Sequence, residues 1–226
     1  MPLLFVILSL FCLLLTKKRM TSDLSHLVHR LGGSQHSVII VWSTIFLPGT
    51  LIHEISHFLV AALTGARTGK IEIFPEYLED KLDEKSTHVA LGSVQTQKLN
   101  PIQGFLVGIA PFISGMALLI WFASLFQTSF TAKDIWLLLL EGYLFFTVAN
   151  SFFPSWSDIK QALPFVIISL VVTLLAWYFG FQIFLNSNSY IWTILNSLWQ
   201  AIGISVLINL SLIGVLFILN LNIKRK

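Results

Sequence analysis

The run Val38-Ile-Ile-Val-Trp-Ser-Thr-Ile-Phe-Leu-Pro-Gly-Thr-Leu-Ile-His53-Glu54-Ile-Ser-His57-Phe-Leu-Val-Ala-Ala-Leu63 sets the class of this protein. From Val38 to Gly65 the one formally charged side chain is Glu54. At 1.5 Å per residue, a helical run of this length exceeds the roughly 30 Å hydrocarbon core of a bilayer. The sequence therefore predicts a membrane helix with His53, Glu54 and His57 at hydrocarbon depth. A carboxylate beside two imidazoles is costly there, and a divalent cation would compensate it.

Outward from that run the chain keeps the same character. Of its 226 residues 55% are hydrophobic and 11% charged, well outside the usual composition of soluble domains. Further apolar stretches run from Leu3 to Leu15, Phe105 to Phe126, Ile135 to Phe153, Phe165 to Leu185 and Leu198 to Leu221. Together they predict an all-α integral membrane protein with about six transmembrane helices. The first stretch is short and is followed by Lys17-Lys18-Arg19. A signal peptide carries its charges ahead of the apolar core and a small-residue cleavage site after it, so this stretch reads as a retained, tilted or interfacial helix.

Six crossings would put the N-terminus, the 66–103 loop and the tail Lys224-Arg225-Lys226 on one side, with Lys17, Lys18, Arg19 and Arg30 opposite. The positive-inside rule then votes both ways; a cytoplasmic tail and 66–103 loop is the working expectation. The net charge of +3 is what such flanks give, and no basic patch points to nucleic acid. Cys12 is the sole cysteine, which excludes an intramolecular disulfide and a thiolate zinc cluster. The seven tryptophans fall mostly near segment ends, as interfacial anchors do.

The 66–103 loop is the one sizeable polar region. Lys70-Ile-Glu-Ile-Phe74 alternates polar and apolar residues and ends at Pro75, and His88-Val-Ala-Leu-Gly-Ser-Val94 is a second strand candidate. A small β-ribbon between the second and third helices is expected. Gly104, Gly108, Pro111 and Gly115 in the next segment allow close backbone approach. Pro154 should break the fourth helix near Asn150.

Residues four apart share a helix face, so His53 and His57 can meet one metal ion. Glu54 lies about 100° further round, able to reach a metal-activated water without ligating. Zinc lowers the pKa of its water to about 7, and a carboxylate can then move the proton. A catalytic zinc takes a third protein ligand, and the candidates are Asp158, Glu141, His88, Glu72 and Glu76. The fourth stretch crosses in the same direction as the second, which brings Asp158 toward the face near His57 and leaves Glu141 toward the other. A helix broken at Pro154 also lets a side chain point back into the bundle. Asn150 would donate to an oxyanion or cap loose backbone groups.

With these residues in place, the chain resembles the site-2 protease family of intramembrane zinc metalloproteases, in a compact form without a PDZ domain. The matching positions are His53, Glu54 and His57, then Asn150, Pro154 and Asp158, over a core from about Val38 to Asp158. Asp158 is followed by Ile159 where that family usually has Gly, and three residues rather than two separate Asn150 from Pro154. The resemblance implies zinc held by His53, His57 and Asp158, with Glu54 and Asn150 catalytic. It implies a transmembrane protein substrate presented as an extended strand to the ribbon, and the cell membrane of a bacterium as location.

The expected organisation is an anchor helix and basic loop (1–37), a catalytic core (38–160) and two C-terminal membrane helices with a basic tail (161–226). Two other functions fit some of the residues. A membrane-anchored zincin could face water with Glu72 or Glu76 as third ligand, and a metal or proton transporter could use the His/Asp site for transit. Against the transporter, there is no second ionisable cluster and no repeat.

Overall fold

The computed structural model describes residues 2–66, 68–72, 93–96, 99–180 and 190–223. Their helices are α1 (Pro2–Arg30), α2 (Gln35–Leu63), α3 (Pro101–Ala132), α4 (Ile135–Ser151), α5 (Trp156–Tyr178) and α6 (Tyr190–Ile223). Between α2 and α3, strands β1 (Thr68–Glu72) and β2 (Ser93–Thr96) pair antiparallel, with Ile71 opposite Val94 and Glu72 opposite Ser93. Residues 73–92, which include Glu76 and His88, lie outside the described residues, as does the tail 224–226.

Among the described residues four helices, α2, α3, α5 and α6, are long and apolar enough to cross a membrane. The expected six are not reached, for two local reasons. In α1 the cluster Lys17-Lys18-Arg19 interrupts the apolar run before it reaches the length of a span. Helix α4 has 17 residues, about 26 Å at 1.5 Å per residue, and stops at Ser151 just ahead of Pro154. Large apolar side chains cover the outside of the helices, among them Val166, Ile167, Leu170, Val171 and Leu174 of α5. Apolar surface this continuous is unfavourable in water and at home in lipid, which marks a membrane protein.

The chain packs as two compact units. The first comprises residues 1–46, 116–150 and 185–226. Its core joins Met20 of α1 to Val38, Trp42 and Phe46 of α2, with Leu24, Val28, Phe146 and Leu216 packed against them. Met20, ten residues before the end of α1, packs with Trp42 and Phe46 well inside α2, so the two helices fold back antiparallel across the short 31–34 connection. By contrast, α1 and α6 run parallel. Phe5 meets Trp199, Thr16 meets Asn209, and the Asp23 carbonyl accepts from Asn220. So α6 runs opposite to the first part of α2. If α2 through α6 each crossed once, α2 and α6 would run the same way. The six-crossing arrangement is therefore not supported.

Asn150 and Asn209 form a reciprocal amide pair inside this unit. Asn150 Nδ2 donates to Asn209 Oδ1 at 3.0 Å, and Asn209 Nδ2 donates to Asn150 Oδ1 at 2.8 Å. Both residues are almost completely buried. Replacing one by Leu strips the other amide of its reciprocal partner and leaves it only the Phe146 carbonyl or Thr16 Oγ1, which costs about 1–3 kcal/mol. Asn150→Leu and Asn209→Leu are each expected to lower thermal stability in detergent, with the double variant recovering much of the loss. A double-mutant cycle showing no coupling between them would contradict the pairing.

The second unit comprises residues 47–115 and 151–184. Within it α2 and α3 run antiparallel. The Gln103 side chain donates to the Thr64 carbonyl at 2.9 Å, and Ser56 and Ser114 share a hydrogen bond of 2.7 Å. Helix α5 starts against the glycine face of α3. A Cβ at Gly108 would come within 2.6 Å of the Asp158 carbonyl oxygen, and one at Gly115 within 2.2 Å of the Phe152 Cβ. No side chain larger than hydrogen fits at either position, and the approach sets Asp158 beside α3. Phe105 stacks on Phe165 at 4.4 Å further along the same contact.

Candidate metal centre

The centre is assembled inside the second unit from α2 and the first turn of α5. His53 and His57 are one turn apart on α2, with ring centroids 4.9 Å apart. Asp158 comes from the start of α5. Ser155 is the N-cap of that helix, and a capping box ties it to Asp158 at the third helical position. The Ser155 N–H donates to Asp158 Oδ2 at 2.6 Å, and the Asp158 N–H donates to Ser155 Oγ at 3.3 Å. A capping box satisfies two orphan backbone donors of the first turn; here it also fixes where the carboxylate points. The helix dipole adds favourable potential for a negative side chain at that end.

Each imidazole is pinned on its far side by a backbone carbonyl. His53 Nδ1 lies 2.8 Å from the Ser151 carbonyl oxygen, and His57 Nδ1 lies 2.8 Å from that of Val107. A carbonyl can only accept, so both Nδ1 atoms carry hydrogen and a neutral ring keeps its lone pair on Nε2. Those Nε2 atoms turn toward the carboxylate: His57 Nε2 is 3.3 Å from Asp158 Oδ1 and His53 Nε2 is 3.7 Å from Asp158 Oδ2. Three acceptors face one another, and only a cation in their midst, a proton or a metal ion, makes that favourable.

The donor set fits a metal. One ligand atom from each of His53, His57 and Asp158 lies within 4.8 Å of the others. Donors about 2.1 Å from a tetrahedral zinc-like ion lie roughly 3.4 Å apart, close to the two His–Asp distances. Hydrogen bonds from Nδ1 to backbone carbonyls are the outer-shell arrangement that orients ligating histidines. Two imidazoles and a carboxylate suit first-row divalent ions.

No family model, no curated protein and no solved structure matches this chain. The functional reading therefore rests on the side chains themselves. Glu54 is buried and couples electrostatically with His53, His57 and Asp158, and among the described residues no hydrogen bond occupies its carboxylate. It thus lies beside the ligand group with no hydrogen-bond partner among the described residues.

Two other candidates go elsewhere. Glu141 belongs to the first unit, where it accepts from Ser129 Oγ at 2.8 Å. Asn150, expected as an oxyanion donor, has both amide hydrogens engaged, by the Phe146 carbonyl and by Asn209. The physical reason is the partner on α6, which no local pattern reveals. The carbonyls of Val107 and Ser151 and the cap at Ser155 were missed as parts of the site. Ser155-x-x-Asp158 was visible as a capping pattern in the sequence, whereas the use of the two carbonyls depends on packing.

Proposed function

We propose that this chain is an intramembrane zinc metalloendopeptidase that hydrolyses peptide bonds of membrane-spanning or membrane-proximal protein substrates. The observation that carries the reading is the convergence of His53 Nε2, His57 Nε2 and the Asp158 carboxylate on one point of an apolar helix pair, with buried Glu54, which no hydrogen bond among the described residues engages, beside them. His53, His57 and Asp158 hold the ion. Zinc, when bound, supplies an acidified water and polarises a substrate carbonyl. Glu54 accepts the proton of the attacking water and returns it to the leaving amine. The carbonyls of Ser151 and Val107 keep the imidazoles in the tautomer that ligates. The β1–β2 ribbon offers an edge on which an unwound substrate segment can lie extended. The enzyme resides in the lipid bilayer, and the cell membrane of a bacterium is the location proposed.

The test is hydrolysis in proteoliposomes. Purified chain is mixed with a panel of single-span membrane proteins, and products are mapped by mass spectrometry. Cleavage should stop on zinc chelation and return on adding zinc. Cleavage that persists after complete metal removal contradicts the proposal.

Crossing topology follows the same reading. Because α6 runs opposite to the first part of α2 within the first unit, the start of α2 and the end of α6 are expected on one side of the membrane. Single cysteines introduced at residues 32 and 223, in a Cys12→Ala background, are expected to react with a membrane-impermeant thiol reagent from the same side. A cysteine at residue 65, just past the end of α2, should react from the other side. Labelling of 32 and the C-terminal position from opposite sides would contradict the arrangement.

A further inference from the structure

The Val107 carbonyl that pins His57 is available for a reason written in the sequence. In an α-helix the carbonyl of residue i accepts from the N–H of residue i+4. For Val107 that donor position is Pro111, inside α3, and proline has no N–H. Helix α3 therefore runs past Val107 with one carbonyl lacking its regular donor, and the Nδ1–H of His57 takes the place at 2.8 Å. An unpaired buried carbonyl would be costly, so the vacancy both attracts the imidazole and fixes its ring.

The second histidine is served by a parallel device. The Ser151 carbonyl ends α4 three residues before Pro154, and its next ladder donor, the Ser155 N–H, is diverted to Asp158 Oδ2. His53 Nδ1 uses the carbonyl so released.

We propose that Pro111 is a positioning residue for the metal centre: by withholding a helical N–H it releases the Val107 carbonyl to orient His57 and to hold its Nε2 lone pair toward Asp158. The inference rests on the proposed zinc site and adds a role that a proline in a membrane helix would not otherwise have. As a mere kink or packing residue, Pro111 would affect stability and zinc binding together or not at all. As a positioning residue it affects zinc binding without a matching loss of stability.

Pro111→Ala restores an N–H that can reclaim the Val107 carbonyl. Zinc affinity, measured by competition with a chromogenic chelator, is expected to fall about 10–100-fold, the usual effect of losing an outer-shell partner. Thermal stability of the metal-free protein is expected to stay level or rise, because proline in a helix interior is unfavourable. Pro164→Ala serves as the control. It removes the proline inside α5, whose i−4 carbonyl is that of Lys160, and should leave zinc affinity unchanged. Affinity of Pro111→Ala within twofold of wild type, or a loss that merely tracks a fall in stability, overturns the inference.

A second readout does not depend on zinc. In metal-free protein with 15N-labelled histidine, at a pH where the rings are neutral, His57 of the wild type should hold its proton on Nδ1. In Pro111→Ala it should populate both tautomers. If the wild type binds no zinc, the proposed function fails, while an unchanged tautomer in the variant is what would sink the role of Pro111.

Discussion

Exchange of Glu54 for Gln is expected to lower peptide hydrolysis by about 10²–10⁴-fold, the usual range for a lost general acid–base group, while the protein still binds one zinc per chain. Gln keeps the size and one acceptor oxygen of Glu but cannot carry a proton between water and amine. Glu54 is 6% exposed and is one residue from His53 on α2. It lies within electrostatic reach of all three proposed ligands without belonging to the group that converges. The substitution also removes a carboxylate from an apolar helix, so folding should not suffer. Zinc content and turnover measured on the same preparation separate the roles. Undiminished turnover removes Glu54 from the chemistry, and loss of zinc makes it a ligand instead.

Asp158→Ala is expected to weaken zinc binding by at least about 100-fold, since even outer-shell partners are worth 10–100-fold. The same change strips α5 of its capping box, for about 0.5–2 kcal/mol of stability. Asp158→Asn separates the two effects. Its side-chain oxygen can still accept from the Ser155 N–H, now seen at 2.6 Å, so stability should stay near wild type. The neutral amide is a poor metal ligand, so zinc affinity should remain low. Ser155→Ala is the mirror case, losing the cap but not the carboxylate. Chelator competition and thermal unfolding on the three variants give a pattern that a purely structural Asp158 could not produce. An Asn variant that binds zinc like the wild type would remove Asp158 from the ligand set.

Local spacing made much of the site readable. Two histidines four apart on a helix share a face whatever the fold, and the glycines of α3 announced a close approach that the Asp158 carbonyl now occupies. The crossing count was not readable from run length. A 17-residue apolar helix and a helix interrupted by Lys17-Lys18-Arg19 both score as apolar stretches, and their counting as crossings depends on direction, which only the α1–α6 packing shows. Asn150 misled for a similar reason. Its motif neighbours are within ten residues, but the group that fixes its amide, Asn209, is 59 residues away. The sequence groups Pro111 with the glycines that allow close backbone approach, and the arithmetic that frees the Val107 carbonyl is available from spacing alone. What spacing could not give is the imidazole that uses it, because His57 reaches that carbonyl across the α2–α3 contact.

The most direct test of the account is zinc stoichiometry by elemental mass spectrometry on detergent-purified wild-type chain, after chelation and again after resupply. The expected result is near zero zinc after chelation and close to one per chain after resupply. A chain that takes up no zinc under saturating resupply, while folded by circular dichroism, would contradict a metal centre at His53, His57 and Asp158.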